Sequence, residues 1–186
     1  MNRFGSFLYD WGGLNKSLFL LINKMHAPVF DQLMLVASWL GHPVMFPFYM
    51  TMVLVWSWRR PEHMPIRNVV VFSVGYLVTS VIVVPVIKSL LDFPRPVTVF
   101  GEKIITIIGN QDAIYSFPSG HAAYATLMVA SLMPGCSRAG KYAMLGYVFM
   151  VCFSRISVGA HFPVDVIAGA GISLLIVNLI RALLPA

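Results

Sequence analysis

Acidic residues are scarce in this chain: seven Asp and Glu stand against thirteen Lys and Arg in 186 residues. Charged residues of both signs make up only 11% of the sequence, while 58% is hydrophobic and the mean hydropathy is +0.79. So little charge excludes an ordinary soluble domain, in which about a quarter of residues are charged. The cations are spread between apolar segments rather than gathered on one face, so the formal charge of +6 does not describe a nucleic-acid-binding surface. Cysteine is nearly absent. Cys136 beside a basic loop and Cys152 inside an apolar run offer neither a metal spacing nor a disulfide framework, and both read as structural.

Long apolar runs take the place of charge. Val44 to Trp58, Val69 to Leu91, His121 to Met133, Tyr142 to Ile156 and Val164 to Leu184 are separated by polar or proline-bearing breaks. Crossing ~30 Å of hydrocarbon takes about 20 apolar residues, a length that the second and fifth runs reach unaided. The third and fourth are short and need their ends covered by protein. These patterns predict an all-α integral membrane bundle of five to six spans, with residues 29–186 as its core. The first run extends backwards through Val29 to Leu40, either spanning or lying flat. Residues 1–28 carry Phe4, Phe7, Leu8, Tyr9 and Trp11 among Arg3, Asp10 and Lys16, a mixture that suits an interfacial amphipathic helix. A sixth span starting near Leu14 is the alternative.

Against this apolar background, three short polar clusters stand at the ends of runs: Lys88 with Arg95 and Pro96; Pro118, Ser119, Gly120 and His121; and Ser154, Arg155, His161 and Asp165. An ionisable side chain at the bilayer centre costs ~3 kcal/mol or more, so such residues read as functional by default. If the runs alternate in direction, Arg59, Arg60, Arg67, Arg138, Lys141 and Arg181 share one side, which the positive-inside rule makes cytoplasmic. All three clusters then converge on the outer face.

Lys88, Arg95 and Arg155 together match the charge and geometry of a phosphate group, Arg as a bidentate fork and Lys as a point charge. Ser119 and Gly120 add a hydroxyl and backbone donors where the chain enters a helix, the end that favours anions. Phosphoryl transfer needs mostly positioning and neutralisation of oxygen charge, which three cations supply without a metal. His161 and Asp165 are four apart, so on a helix a carboxylate would orient the imidazole as a nucleophile. His121, in another cluster, suits a general acid. Taken singly, each cluster has an ordinary reading: a snorkelling pair, a helix cap, and a structural hydrogen bond or half of a metal site. Their occurrence in order on one membrane face argues against all three together. His26, His42 and His63 have no partner pattern and read as structural, and Asp92 and Asp112 are pocket neighbours at most.

The three clusters, at 88–96, 118–121 and 154–165, resemble the signature of the type 2 phosphatidic acid phosphatase family, with no signature position substituted. That resemblance implies a membrane-integral lipid phosphatase with His161 as nucleophile, Asp165 as its support and His121 as acid. Lys88, Arg95, Ser119, Gly120 and Arg155 are then the phosphate ligands, and no metal or cofactor is needed. It further implies a bacterial inner-membrane enzyme facing the periplasm, whose partners are membrane lipids. Undecaprenyl diphosphate or phosphatidylglycerophosphate is the expected substrate. A lipid phosphotransferase, a lipid A phosphatase and a non-catalytic lipid-phosphate carrier or scramblase are the alternatives. Specificity is expected in the stretch from Val97 to Phe117, where Phe100, Ile104, Ile105, Ile107, Ile108 and Tyr115 meet the lipid chain.

Overall fold

The computed structural model describes residues 9–110 and 115–184. Arg3, Phe4, Phe7 and Leu8 of the expected amphipathic segment, and Asp112, lie outside the described residues. Among the described residues the fold is all helical, with a lone antiparallel bridge between Pro94 and Tyr115 and no strand. The helices are α1 (Leu14–Asn23), α2 (Pro28–Leu40), α3 (Phe46–Arg59), α4 (Ile66–Leu91), α5 (Pro96–Phe100), α6 (Gly120–Leu132), α7 (Arg138–Ser157) and α8 (Pro163–Leu183).

Local chemistry explains the starts. Proline occupies the first turn of α2, α3, α5 and α8, where its missing N–H is no loss. Ser119 and Ser137 cap α6 and α7 by accepting from Ala122 N (3.4 Å) and Gly140 N (3.2 Å). Within α4 the stretch Leu77–Val83 is π-helical and ends two residues before Pro85. A proline there has no N–H to offer the preceding turn, and the helix widens ahead of it. Lys88 follows in the last turn of α4, which ends on Asp92 in the left-handed region (φ 45°).

α4 (26 residues) and α8 (21 residues) are long and apolar enough to cross a membrane, and α2 with α3 forms a further candidate bent by 57°. α6 has 13 residues and a rise of only ~20 Å, and it is buried almost all round. It is the central post of the bundle: Tyr124 and Leu127 pack against Phe72 of α4 and Val177 of α8 in the main core cluster. This burial is how a short apolar run survives at membrane depth. Outward-facing Leu77, Val81, Phe149 and Leu175 form the apolar exterior. At the end opposite Lys88, Arg67 donates to Arg181 O (2.9 Å) and Leu184 O (3.0 Å), while Arg181 donates to Asn68 Oδ1, Ala130 O and Ser131 O. Glu62, His63, Pro134 and Gly135 line a cavity with these two arginines, so the basic loops after α3 and α6 meet at one end.

Candidate active site

The third cluster is shaped by the turn between α7 and α8. Both Ala160 N and His161 N donate to Arg155 O at 3.1 Å, which folds the chain back on the end of α7. Gly159 makes this possible: its φ is +80°, and a Cβ there would lie 2.5 Å from Thr106 O. His161 therefore precedes α8 rather than riding on it. Asp165, in the first turn of α8, reaches back to accept from Phe162 N (2.9 Å), and its Oδ2 lies 3.5 Å from His161 Nδ1. The two residues meet through helix capping, a different route from the shared helical face expected from their spacing.

Ser116 joins the pair. Its Oγ donates to Asp165 Oδ2 at 2.5 Å and lies 3.3 Å from His161 Nδ1. A carboxylate only accepts, and the serine proton is committed to it, so Nδ1 carries the imidazole proton and Nε2 is left bare. His161 is 2% exposed. Burial, followed by the charges of Arg155, Arg95 and Lys88, pushes its pKa well below the ordinary histidine value. A neutral imidazole with a free Nε2 is the form that attacks an electrophile.

The cations surround this ring. Lys88 Nζ donates to Tyr115 O (3.1 Å) and Ser116 O (3.3 Å), and Arg95 Nη1 donates to Ala160 O (3.1 Å). Arg95 has its pKa lowered by burial, an effect opposed by the Asp165 charge. Arg155, buried at the end of α7, donates to Ser38 Oγ of α2. Ser119 N donates to Asp165 O at 2.9 Å. That contact depends on Gly169, where a Cβ would stand 2.4 Å from Ser119 O, so α8 approaches the start of α6 closely. Around Gly120 the nearest neighbour of an added Cβ would be Val84 at 3.8 Å, so no protein atom crowds that backbone.

A cleft of about 320 Å³ opens beside these groups, lined by Arg95, Arg155 and His121 together with Ser38, Trp39 and His42. His42, read from sequence as structural, lies edge to face with His121 at a centroid distance of 4.8 Å. Its Nδ1 accepts from Val44 N (3.0 Å), so in the neutral ring Nε2 carries the proton. Lys88, Ser119, Gly120, His161 and Asp165 stand behind the cleft rather than in its lining. Asp92 is exposed at the end of α4 and does not line it. Of the loop expected to meet the lipid chain, Ile105 is buried, Phe100 stacks on Phe19 and Ile107 packs beside them, whereas Ile108 lines the cleft and Ile104 is exposed.

Residues 69–186, well over half of the chain, match the family model described as the PAP2 superfamily. The chain belongs to the PAP2 superfamily. It is 26% identical over 157 residues to an undecaprenyl-diphosphatase of Sulfolobus acidocaldarius, covering 84% of this chain and 72% of that protein. It is 24% identical over 177 residues to a lipid A 4'-phosphatase of Porphyromonas gingivalis, covering 88% and 70%. Its fold is similar to the crystal structure of Aquifex aeolicus LpxE (TM-score 0.76, 24% identity, 91% of this chain and 95% of that one). It is also similar to that of a transmembrane PAP2-type phosphatidylglycerolphosphate phosphatase from Bacillus subtilis (TM-score 0.70, 18% identity, 92% and 85%). This PAP2 chain is a membrane-integral lipid phosphatase, as the resemblance of its three clusters implied.

The PAP2 match begins at residue 69, so Ser38, Trp39 and His42 in the lining of the cleft come from outside it. Sequence reasoning missed these residues and Ser116. A lone histidine or serine in an apolar chain has no spacing that marks it, and what brings the end of α2 to the PAP2 motifs is tertiary contact, Ser38 with Arg155 and His42 with His121.

Proposed function

We propose that this protein hydrolyses a lipid phosphate or diphosphate through a phosphohistidine intermediate at the outer face of the bacterial inner membrane. One observation carries the reading: a buried imidazole whose Nδ1 faces Ser116 and Asp165, with Lys88, Arg95 and Arg155 around it. The substrate phosphate would take over the Lys88 and Arg95 donors now held by backbone carbonyls, with Arg155, Ser119 and the Gly120 backbone completing the grip. His161 Nε2 attacks the terminal phosphorus, the P–O bond to the leaving group breaks (an ester in a monophosphate, an anhydride in a diphosphate), and His121 gives its proton to the departing oxygen. A water then attacks the phosphohistidine, returning a proton to His121, and the P–N bond breaks to release orthophosphate and free His161. The cations carry the charge on the phosphoryl oxygens throughout, so no metal is called for in this scheme.

Five to six spans are the proposed arrangement, with α6 sheltered among the others. The end holding Arg67 and Arg181 faces the cytoplasm by the positive-inside rule, and the cleft faces outward. Undecaprenyl diphosphate is the first candidate substrate, supported by the curated relative of that activity. Lipid A phosphate is the second, supported by the lipid A 4'-phosphatase relative. Phosphatidylglycerophosphate is the third.

The test is orthophosphate release by the purified protein on these three lipids, with and without chelator. His161→Ala should lose more than about 10³-fold in kcat while still binding lipid. Wild-type turnover by His161→Ala would overturn the mechanism. Loss of activity in chelator, restored by a divalent ion, would overturn its metal independence. Consumption of lipid without orthophosphate, unless a second lipid is added, would make the protein a phosphotransferase.

A further inference from the structure

The amino-terminal segment is fastened to the site by side chains that no motif contains. Tyr9 Oη donates to Asp165 Oδ1 at 2.8 Å, on the carboxylate oxygen not used by Ser116 and Phe162 N. The phenol ring is held on several sides: stacked on Phe93 at 4.3 Å and 4°, and edge-on to Phe117 and Phe162. Asn15 then ties Tyr9 to the start of α8, donating to Tyr9 O (2.9 Å) and accepting from Val164 N (3.0 Å). Asn23, at the far end of α1, ties the loop at Thr106 to the end of α7, accepting from Thr106 N and donating to Thr106 O and Ser157 O. Phe19, fully buried, fills the space between Phe100 and Phe162.

We infer that Tyr9 is a positioning residue for the reaction, acting through Asp165 to hold the His161 imidazole in its attacking orientation. The inference rests on the assignment of His161 as nucleophile made above. Asp165 Oδ2 already accepts from Ser116 and Phe162 N, and a carboxylate anchored through that oxygen alone remains free to rotate about its terminal bond. Tyr9 bonds the second oxygen and stops that rotation, fixing the plane in which Oδ2 faces His161 Nδ1. Its aromatic neighbours enclose the ring and direct the hydroxyl to Asp165, with Ser116 as the other polar group beside it. Because burial and the Asp165 charge raise the phenol pKa, Tyr9 stays a donor across the working pH range. The amino-terminal segment is thereby part of the catalytic apparatus as well as a surface element.

The experiment compares Tyr9→Phe with wild type on a hydrolysed lipid phosphate, and repeats the substitution in an Asp165→Asn background. Phenylalanine keeps the ring packing and deletes only the hydroxyl. Tyr9→Phe should lower kcat about tenfold, the rate equivalent of one hydrogen bond to a charged group, with KM within about twofold. In the Asp165→Asn background the same substitution should change kcat by less than about twofold, because the group it acts through is gone. An equal loss in both backgrounds, or a loss wholly in KM, would overturn the inference. If Tyr9→Phe fails to fold, Ser116→Ala and Asn15→Ala replace it. A kcat loss in Asn15→Ala, which loosens Tyr9 without touching Asp165, that vanishes with Asp165→Asn supports the inference, and its persistence overturns it. Full activity of His161→Ala would instead refute the nucleophile assignment itself, a separate outcome.

Discussion

At the scale of single residues, the site depends on which atom of each side chain is already committed. His161 Nδ1 is bound to the Ser116 and Asp165 pair, and the ring is enclosed by three cationic side chains. Its pKa is depressed, so the folded protein resists a proton that the unfolded chain accepts near pH ~6.5. Between the depressed value and ~6.5 the unfolded state binds more protons, and the His161 contribution to stability therefore falls as the pH drops through that window. We expect the His161 ring signals, followed by NMR with labelled histidine in micelles, to remain those of the neutral Nδ1–H tautomer down to pH 5.5. A midpoint near 6.5 would contradict the enclosure by cations. The clusters were legible in the sequence because charge inside an apolar run is costly and therefore conspicuous. Ser116 and His42 were not legible, since neutral or solitary polar residues carry no such signal.

At the scale of helices, close approach decides the geometry. α8 touches the start of α6 at Gly169, where an added Cβ would meet Ser119 O at 2.4 Å and Ala123 N at 3.2 Å. Both are backbone atoms and cannot swing aside. Gly169→Ala should destabilise the fold by about 1–3 kcal/mol and lower activity by displacing Ser119, measurable as a reduced melting temperature and kcat. Gly171, two residues on, has nothing within 4 Å of an added Cβ. Gly171→Ala should be neutral or stabilising by up to ~1 kcal/mol through helix propensity. Equal behaviour of the two variants would rule out close packing as the reason for Gly169. Periodicity and hydropathy located α4, α6, α7 and α8 to within a few residues, and the bend between α2 and α3 was foreshadowed only by Gly41 and Pro43.

At the scale of the whole molecule, the two ends of the bundle differ in kind. One gathers Arg67 and Arg181 with the loops after α3 and α6, and the other carries the cleft. In α4 the 21 steps from Arg67 to Lys88 rise about 31 Å, close to the thickness of the hydrocarbon core. With the native cysteines replaced by serine, Glu62→Cys should react with an impermeant thiol reagent only from the cytoplasmic side, and Lys103→Cys only from outside. Both positions are exposed. Labelling in the opposite sense would invert the proposed orientation.

The sequence by itself determined the membrane class, the helical architecture and the polar clusters from which the proposed site is built. Each of those rests on composition, on local periodicity or on the cost of placing charge in hydrocarbon, all of which are written along the chain. Only the tertiary structure decided that His161 stands outside the helix bearing Asp165, that Ser116 and Tyr9 complete the carboxylate's partners, and that Ser38, Trp39 and His42 wall the cleft. Those pairings join residues as far apart as Tyr9 and Asp165, 156 positions along the chain. Hydrogen bonds of this kind depend on where folded segments meet, which no local pattern records.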